Sequence, residues 1–268
     1  MLKILSIGNS FSQDAQTRFY DLATSAGIEL RTTNLYIGGC SLERHYNNMI
    51  SETDGTHGLC DYTIQESGRM TGVKTTLKAG LLMDDWDIIT LQQVSGYSGI
   101  SESYNPYIEE LSAYVKKLCP NAKQYIHQTW AYEKNAQHGD FVKYDNNQQK
   151  MHDALVDAYA KAAKCINAEG IIPCGEIIAK LREHEEFDIE KGGVSLCRDG
   201  FHMHLVYGRY ANAATWFEYL LGGNIYDAPY LPESTIKDAD GKTIWLDGFE
   251  NKIGLIKKIV HEYIADKK

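Results

Sequence analysis

Two short segments carry the residue types of nucleophilic catalysis. Near the N-terminus the apolar run Leu2 to Ile7 breaks at Gly8-Asn9-Ser10-Phe11-Ser12. A glycine at that break lets the backbone turn sharply, and a serine just after it would stand at the base of the next helix. Its hydroxyl would face a cleft where backbone N–H groups can hold an oxyanion. Serine is also a common helix cap, so Ser10 or Ser12 could serve the backbone alone. Far along the chain stands Asp199-Gly200-Phe201-His202. A carboxylate and an imidazole three residues apart share one side of a turn. Asp199 can then accept the Nδ1 proton of His202, leaving Nε2 as base for a serine hydroxyl. An Asp-x-x-His alone is common in solvated loops; its weight here comes from the strand-end serine near the other terminus. His204 is a rival base, ranked lower because no carboxylate stands three residues before it.

Other chemistries lack their signatures. There is no GxSxG elbow of an α/β-hydrolase and no GxxxxGK[ST] phosphate loop. Asp199, His202 and His204 could ligate a metal, but no second His and carboxylate cluster supports them, so no metal is expected. The six cysteines, Cys40, Cys60, Cys119, Cys165, Cys174 and Cys197, include no CxxC pair and read as reduced, mostly buried thiols. The 27 Lys+Arg stand against 36 Asp+Glu, a formal charge of −9, with no basic run. Nucleic acid and anionic membrane are therefore poor partners, and a neutral or weakly charged small molecule is favoured. No motif sets an oligomeric state. The first residues enter a strand directly, without the regions of a signal peptide, and no apolar stretch approaches the roughly 20 residues of a membrane span. A cytoplasmic protein is the expectation, with an export signal trimmed from the chain as the alternative.

These residues need a scaffold. Leu2 to Ile7 suits a buried parallel strand, followed by a helix marked by Phe19, Leu22, Ala23 and Ala26 and closed at Gly27. Leu30 to Ile37, ended by Gly38-Gly39, reads as a second strand and Asp87 to Gln92 as a third. Tyr107, Leu111, Tyr114, Val115 and Leu118 mark a helix that stops before Pro120, and Lys123 to Gln128 a fourth strand. Met151, Leu155, Ala158, Ala162 and Ile166 mark a long helix, and Gly170 to Ile172 a fifth strand. Two further helices carry Tyr210, Ala213, Ala214, Phe217 and Leu220, then Ile253, Ile256, Val260 and Tyr263. Such alternation predicts one α/β domain over residues 1–268, a parallel sheet between helical layers. Residues 55–75 read as a β-hairpin insertion. Residues 222–268 form a C-terminal extension, with Thr243 to Leu246 as a possible edge strand.

The Gly-Asn-Ser turn, a glycine after the second strand, a polar third strand end and a late Asp-x-x-His together resemble the four blocks of the SGNH (GDSL-like) hydrolase superfamily. The blocks span residues 8–202, and the similarity is greatest to a branch that opens with IGNSFS and has LQQ-S in the third block. The resemblance implies a three-layer α/β/α flavodoxin-like sandwich and a serine esterase without cofactor. It would act on a small acyl ester, acetyl and carbohydrate esters being common substrates. It implies Ser10 as nucleophile, Asp199 and His202 as the base pair, and Gly39 (or adjacent Gly38) as a backbone oxyanion donor. Two blocks depart: Gly-Asp-Ser is here Gly-Asn-Ser, and the third-block Gly-x-Asn-Asp is replaced by Leu91-Gln92-Gln93-Val94-Ser95-Gly96. Gln93 carries the missing amide one methylene longer and is the expected side-chain donor, with Ser95 behind it. Alternatively Gln92 and Gln93 satisfy loop backbone.

Two rival readings remain. A flavodoxin-like protein could wrap an FMN phosphate with Ser10, Ser12 and Thr17 and stack Trp130 or Tyr97 on the ring. The Asp199-to-His202 block would then have no task. A sugar-binding module that has lost catalysis would explain the missing asparagine. Of the aromatic residues, Trp130 is expected to line the site, and most of the 18 tyrosines, such as Tyr107, Tyr114 and Tyr210, to pack in the core.

Overall fold

A computed structural model describes residues 1–53, 61–238 and 240–267. In chain order the elements are β1 (Leu2–Gly8), α1 (Ser10–Ser25), β2 (Leu30–Tyr36), α2 (Leu42–Thr53), β3 (Tyr62–Glu66), β4 (Arg69–Thr75), α3 (Leu77–Leu81), β5 (Ile88–Leu91) and α4 (Tyr107–Leu118). There follow β6 (Lys123–His127), α5 (Gln148–Ile166), β7 (Gly170–Ile172), α6 (Cys174–Leu181), α7 (Tyr207–Leu221), β8 (Thr235–Lys237), β9 (Thr243–Trp245) and α8 (Phe249–Ala265).

The central sheet runs β4-β3-β2-β1-β5-β6-β7. The five strands from β2 to β7 are parallel, and β3 and β4 add to one edge antiparallel. Ile4, Leu5, Ile7, Leu35, Ile89, Leu91 and Ile126 are buried, as the apolar runs of a sheet covered on both faces require. The helices form two packed groups, α1 with α6, α7 and α8, and α2 with α4 and α5. This is the expected α/β class, a mostly parallel sheet flanked by helices. The chain passes from β1 outward to β2 and later returns to β5 on β1's other side. Strand order therefore reverses between β1 and β5, which opens a crevice beyond their carboxyl ends. Ser10 stands at that point.

Two segments differ from expectation. The β3–β4 hairpin exists, but it is no excursion: β3 pairs with β2 from Thr33↔Glu66 to Tyr36↔Thr63, so the hairpin widens the main sheet. The part of the predicted hairpin at 55–60 lies outside the described residues. Thr243 to Leu246 is not an edge of the central sheet, because β9 pairs only with β8 in a separate two-stranded sheet. The helix α2 went unread, although Leu42, His45 and Met49 recur at helical spacing and all are buried. Ser41 Oγ accepts from Arg44 N at 3.2 Å and so caps it. Among the described cysteines Cys40, Cys119, Cys174 and Cys197 are buried free thiols and Cys165 is exposed. No helix among the described residues is long and apolar enough to cross a membrane.

Candidate active site

The turn after β1 is built for a close approach. A Cβ on Gly8 would fall 2.1 Å from Ser12 Oγ, which is itself buried and donating to Asn9 O and Asn34 Oδ1, both at 2.9 Å. Glycine is required there. Asn9 caps α1, its Oδ1 accepting from Phe11 N at 2.9 Å and from Gln92 Nε2 at 2.8 Å. Its Nδ2 donates to Cys40 O at 3.0 Å. One side chain thus ties the ends of β1 and β5 to the loop after β2. An aspartate could accept but not donate, which accounts for the Gly-Asn-Ser variant.

Ser10, the first residue of α1, places Oγ 2.8 Å from His202 Nε2. His202 Nδ1 lies 2.7 Å from Asp199 Oδ2. Asp199 Oδ1 also accepts from His202 N at 2.7 Å and Phe201 N at 3.2 Å. Burial opposes ionisation of Asp199, but the His202 ring and these two N–H groups outweigh it and hold the carboxyl below its ordinary value. The intervening Gly200 has φ +88°, and a Cβ there would meet Ala136 Cα at 2.9 Å. His204 takes no part: its Nδ1 accepts from Val206 N and Tyr207 N at the start of α7, at 3.2 and 3.3 Å.

What holds the late loop against α1 was missed from the sequence. Asp14, fully buried one turn after Ser10, accepts from Met203 N at 2.9 Å, directly beside His202. Its oxygens also take Arg198 Nη1 at 3.1 Å and Arg209 Nε at 2.8 Å. Arg198 Nη1 donates in addition to Met203 O at 2.6 Å. Asp14 therefore clamps the start of α7 and the Asp199–His202 turn onto the helix that bears Ser10. No local signal marked it, because Arg198 and Arg209 lie 184 and 195 positions further along the chain.

A cavity of about 310 Å³ opens over Ser10 and His202. Its lining includes Gly39, at φ +61°, Ser41, the segment from Ser95 to Tyr97, and then His138, Asp140 and Phe201. The last three were not foreseen as lining residues; Tyr97 was named only for the flavin-binding alternative. Neither Ser10 N–H nor Gly39 N–H has a hydrogen-bond partner among the described residues.

Gln93 is not placed as expected. It is buried, its Oε1 accepting from Leu42 N at 3.0 Å and Val94 N at 2.8 Å, its Nε2 donating to Ser103 O at 3.0 Å and Ser103 Oγ at 3.1 Å. The amide is fully engaged away from Ser10. Gln92 is turned under Asn9. Ser95 does line the cavity, with Oγ 2.9 Å from Tyr132 Oη. Trp130 does not: it is completely buried, stacked beneath Phe11 at 4.4 Å, and its Nε1 donates to Phe201 O at 2.7 Å. It braces the floor of the site. Tyr107, expected in the core, is only partly buried and sends its hydroxyl to Glu43 Oε1 at 3.0 Å. The flavin-phosphate reading loses its donors, since Ser12 is buried and Thr17 Oγ1 donates within its own helix to Gln13 O at 2.7 Å. Among the described residues no three His, Cys, Asp or Glu side chains are grouped to hold a metal ion.

Comparison with known proteins gives the family. Residues 3–242 match DUF4886, described as a domain of unknown function, so the chain belongs to that family. A DUF4886 family protein from Bacteroides uniformis is 36% identical, with a TM-score of 0.83 over 98% of this chain and 95% of its own. The fold is also similar to that of a protein from Slackia heliotrinireducens assigned to the SGNH hydrolases. That match has 22% identity and a TM-score of 0.55 over 82% of this chain and 98% of the other. A Parabacteroides merdae protein assigned to the GDSL-like lipases gives 15% identity and a TM-score of 0.50 over 81% and 94%. These two show a shared fold. No curated protein matches the chain.

Proposed function

We propose that the protein is a serine ester hydrolase of the SGNH type, acting on a small acyl ester through an acyl-enzyme. The observation that carries this reading is the unbroken chain from Ser10 Oγ through His202 to Asp199, at 2.8 and 2.7 Å. In the first half-reaction Ser10 Oγ attacks the ester carbonyl while His202 Nε2 takes the hydroxyl proton. His202 then returns that proton to the leaving alcohol as the C–O bond breaks. In the second half a water replaces the alcohol, and His202 deprotonates it to release the acid and restore Ser10. Asp199 fixes the ring and stabilises the imidazolium.

The oxyanion would be held by the N–H groups of Ser10 and Gly39, at the positive end of the 16-residue α1. The Ser41 hydroxyl accepts from Arg44 N, keeps its own proton to donate, and lines the same cavity. It stands in for Gln93 as side-chain donor. The cavity of about 310 Å³ has room for a small acyl ester. The fold shared with proteins assigned to SGNH hydrolases agrees with this reading.

A sugar-binding module without catalysis is favoured by one observation, the withdrawal of Gln92 and Gln93 from the site. A panel of p-nitrophenyl esters and acetylated sugars, run on wild type and Ser10→Ala, separates the two. The expected result is hydrolysis of short esters by wild type, reduced at least roughly 10³-fold in Ser10→Ala. Equal turnover by both proteins would remove Ser10 as nucleophile. Sugar binding without turnover would establish the module.

A further inference from the structure

Beside the cavity over Ser10 lies a second one, of about 360 Å³. Ser41 and Tyr97 line both, so they stand between the nucleophile and this neighbouring space. Its remaining walls include Glu43 and Tyr107 on one side and Glu102 and Ser103 on the other. We propose that this cavity seats the alcohol portion of the substrate, and that it selects an uncharged, hydroxyl-rich alcohol over a phosphorylated or sulfated one. The proposal rests on the ester-hydrolase reading, because it assigns the leaving side of the same reaction.

Three features carry it. The first is position. An acyl carbon attacked by Ser10 has its acyl group and its alcohol on different sides, and the second cavity begins where Ser41 and Tyr97 end the first.

The second is charge. Glu43 and Glu102 are both exposed, and among the described residues no Lys, Arg or His lines this cavity. The Tyr107 hydroxyl donates to Glu43 Oε1 at 3.0 Å, which orients that carboxylate and leaves its other oxygen for a ligand hydroxyl. The nearby Lys143 is already committed, ion-paired to Asp140 with its ammonium 4.9 Å from the Tyr97 ring centre. An anionic alcohol would meet two carboxylates and, among the described lining residues, no cation, whereas hydroxyl groups can donate to both. Tyr97 and Tyr107, which line the cavity, add ring surface for the C–H side of such an alcohol.

The third feature is the scaffold. Gln93 links Leu42 N, at the start of the helix that carries Glu43, to Ser103, the neighbour of Glu102. The amide that a search for an oxyanion donor singles out thus holds the two acidic walls of this cavity at a fixed separation.

The test compares acetate release from p-nitrophenyl acetate, a monoacetylated methyl glycoside and a monoacetylated sugar phosphate, in wild type, Glu43→Gln, Glu102→Gln and the double variant. Both positions are exposed, so glutamine preserves the fold. The expected result is that wild type prefers the glycoside to the sugar phosphate. In the double variant the ratio of kcat/KM for the glycoside to that for p-nitrophenyl acetate should fall roughly 10- to 100-fold, through KM. The sugar phosphate should improve in the same variant. Unchanged ratios, or a wild type that prefers the sugar phosphate, would overturn the subsite. Binding of the deacetylated methyl glycoside, followed by saturation-transfer NMR, reads the subsite without catalysis. A signal in wild type that is lost in the double variant supports it, and no signal in wild type overturns it. Absence of turnover on every ester, with glycoside binding intact, would instead overturn the hydrolase reading alone.

Discussion

The ends of β1 and β5 lie side by side at the same crevice, and both carry polar side chains, yet only one turns them into it. At the end of β1 the Ser10 hydroxyl meets an imidazole at 2.8 Å. At the end of β5 two glutamines of suitable chemistry turn away, Gln92 beneath Asn9 and Gln93 towards Leu42, Val94 and Ser103. The difference lies in what each side chain finds locally. At the N-terminus of α1 Asn9 supplies the side-chain cap through Phe11 N, and the Ser10 hydroxyl bonds to His202 instead. An amide at the mouth of a long loop is surrounded by N–H and C=O groups with no strand to pair with, and buried backbone groups must be satisfied. Residue type predicts what a side chain can do, and the unpaired backbone around it decides whether it does.

The strongest way to break this contrast is at Ser10 and His202. If they act as one unit, Ser10→Ala and His202→Ala should each lower kcat by roughly 10⁴-fold or more, and the double variant should be little worse than either. Additive losses would mean that His202 serves another step.

The clamp at Asp14 comes next. Asp14→Asn keeps the shape but leaves Arg198 and Arg209 around a neutral amide, and the amide nitrogen cannot accept from Met203 N. Breaking a buried charge pair in this way costs roughly 3–5 kcal/mol. Because both arginines are partly exposed, the lower end is expected in urea unfolding. On the proposed function the residual folded protein should show a lower kcat than wild type with KM nearly unchanged, since the loop that carries His202 is then loosely held. Full kcat in the folded fraction would reduce Asp14 to a fold-stabilising residue.

The third variant probes the other strand end. Gln93→Ala should strand the Leu42 and Val94 N–H groups, an expected loss of roughly 1–3 kcal/mol of stability. The kcat for p-nitrophenyl acetate should change far less than in the Ser10 and His202 variants. A large drop in kcat at unchanged stability would restore Gln93 as an oxyanion donor.

These expectations show which parts were legible in the sequence. The parallel sheet was readable because Leu2 to Ile7 and Asp87 to Gln92 are short apolar runs between turn signals, a pattern set by burial on both faces. The grouping of Ser10, Asp199 and His202 was readable because the roles proposed for them depend on the strand end and on a three-residue spacing. Asp14 was hidden, since its partners Arg198 and Arg209 are close only in the folded chain. Trp130 was misplaced for a related reason: a large aromatic after a strand end can face the cleft or the layer below, and only its contact with Phe11 decides which.

The smallest expected effect contrasts two imidazoles within one loop. His202 faces Ser10, whereas His204 is held down to about 4 by burial, with the Arg198 charge adding to it. Its neutral Nδ1 accepts from Val206 N and Tyr207 N. An unfolded histidine binds a proton near pH 6.5. As pH falls below that value the unfolded chain takes up a proton that the native site refuses until about pH 4, so the unfolded state gains. The contribution of His204 to stability is therefore present above pH 6.5 and is lost as pH falls towards 4. His45 and His127, both held to about 3 by burial, act in the same direction, so His204 accounts for one part of the acid loss. His204→Asn keeps a capping oxygen for the two N–H groups and removes the titration. Melting temperatures at pH 7 and pH 4.5 should then differ by less in His204→Asn than in wild type. An equal difference in the two proteins would mean that His204 takes up its proton in the native state as readily as in the unfolded chain. Its ring could then not be one reserved for accepting from Val206 N and Tyr207 N.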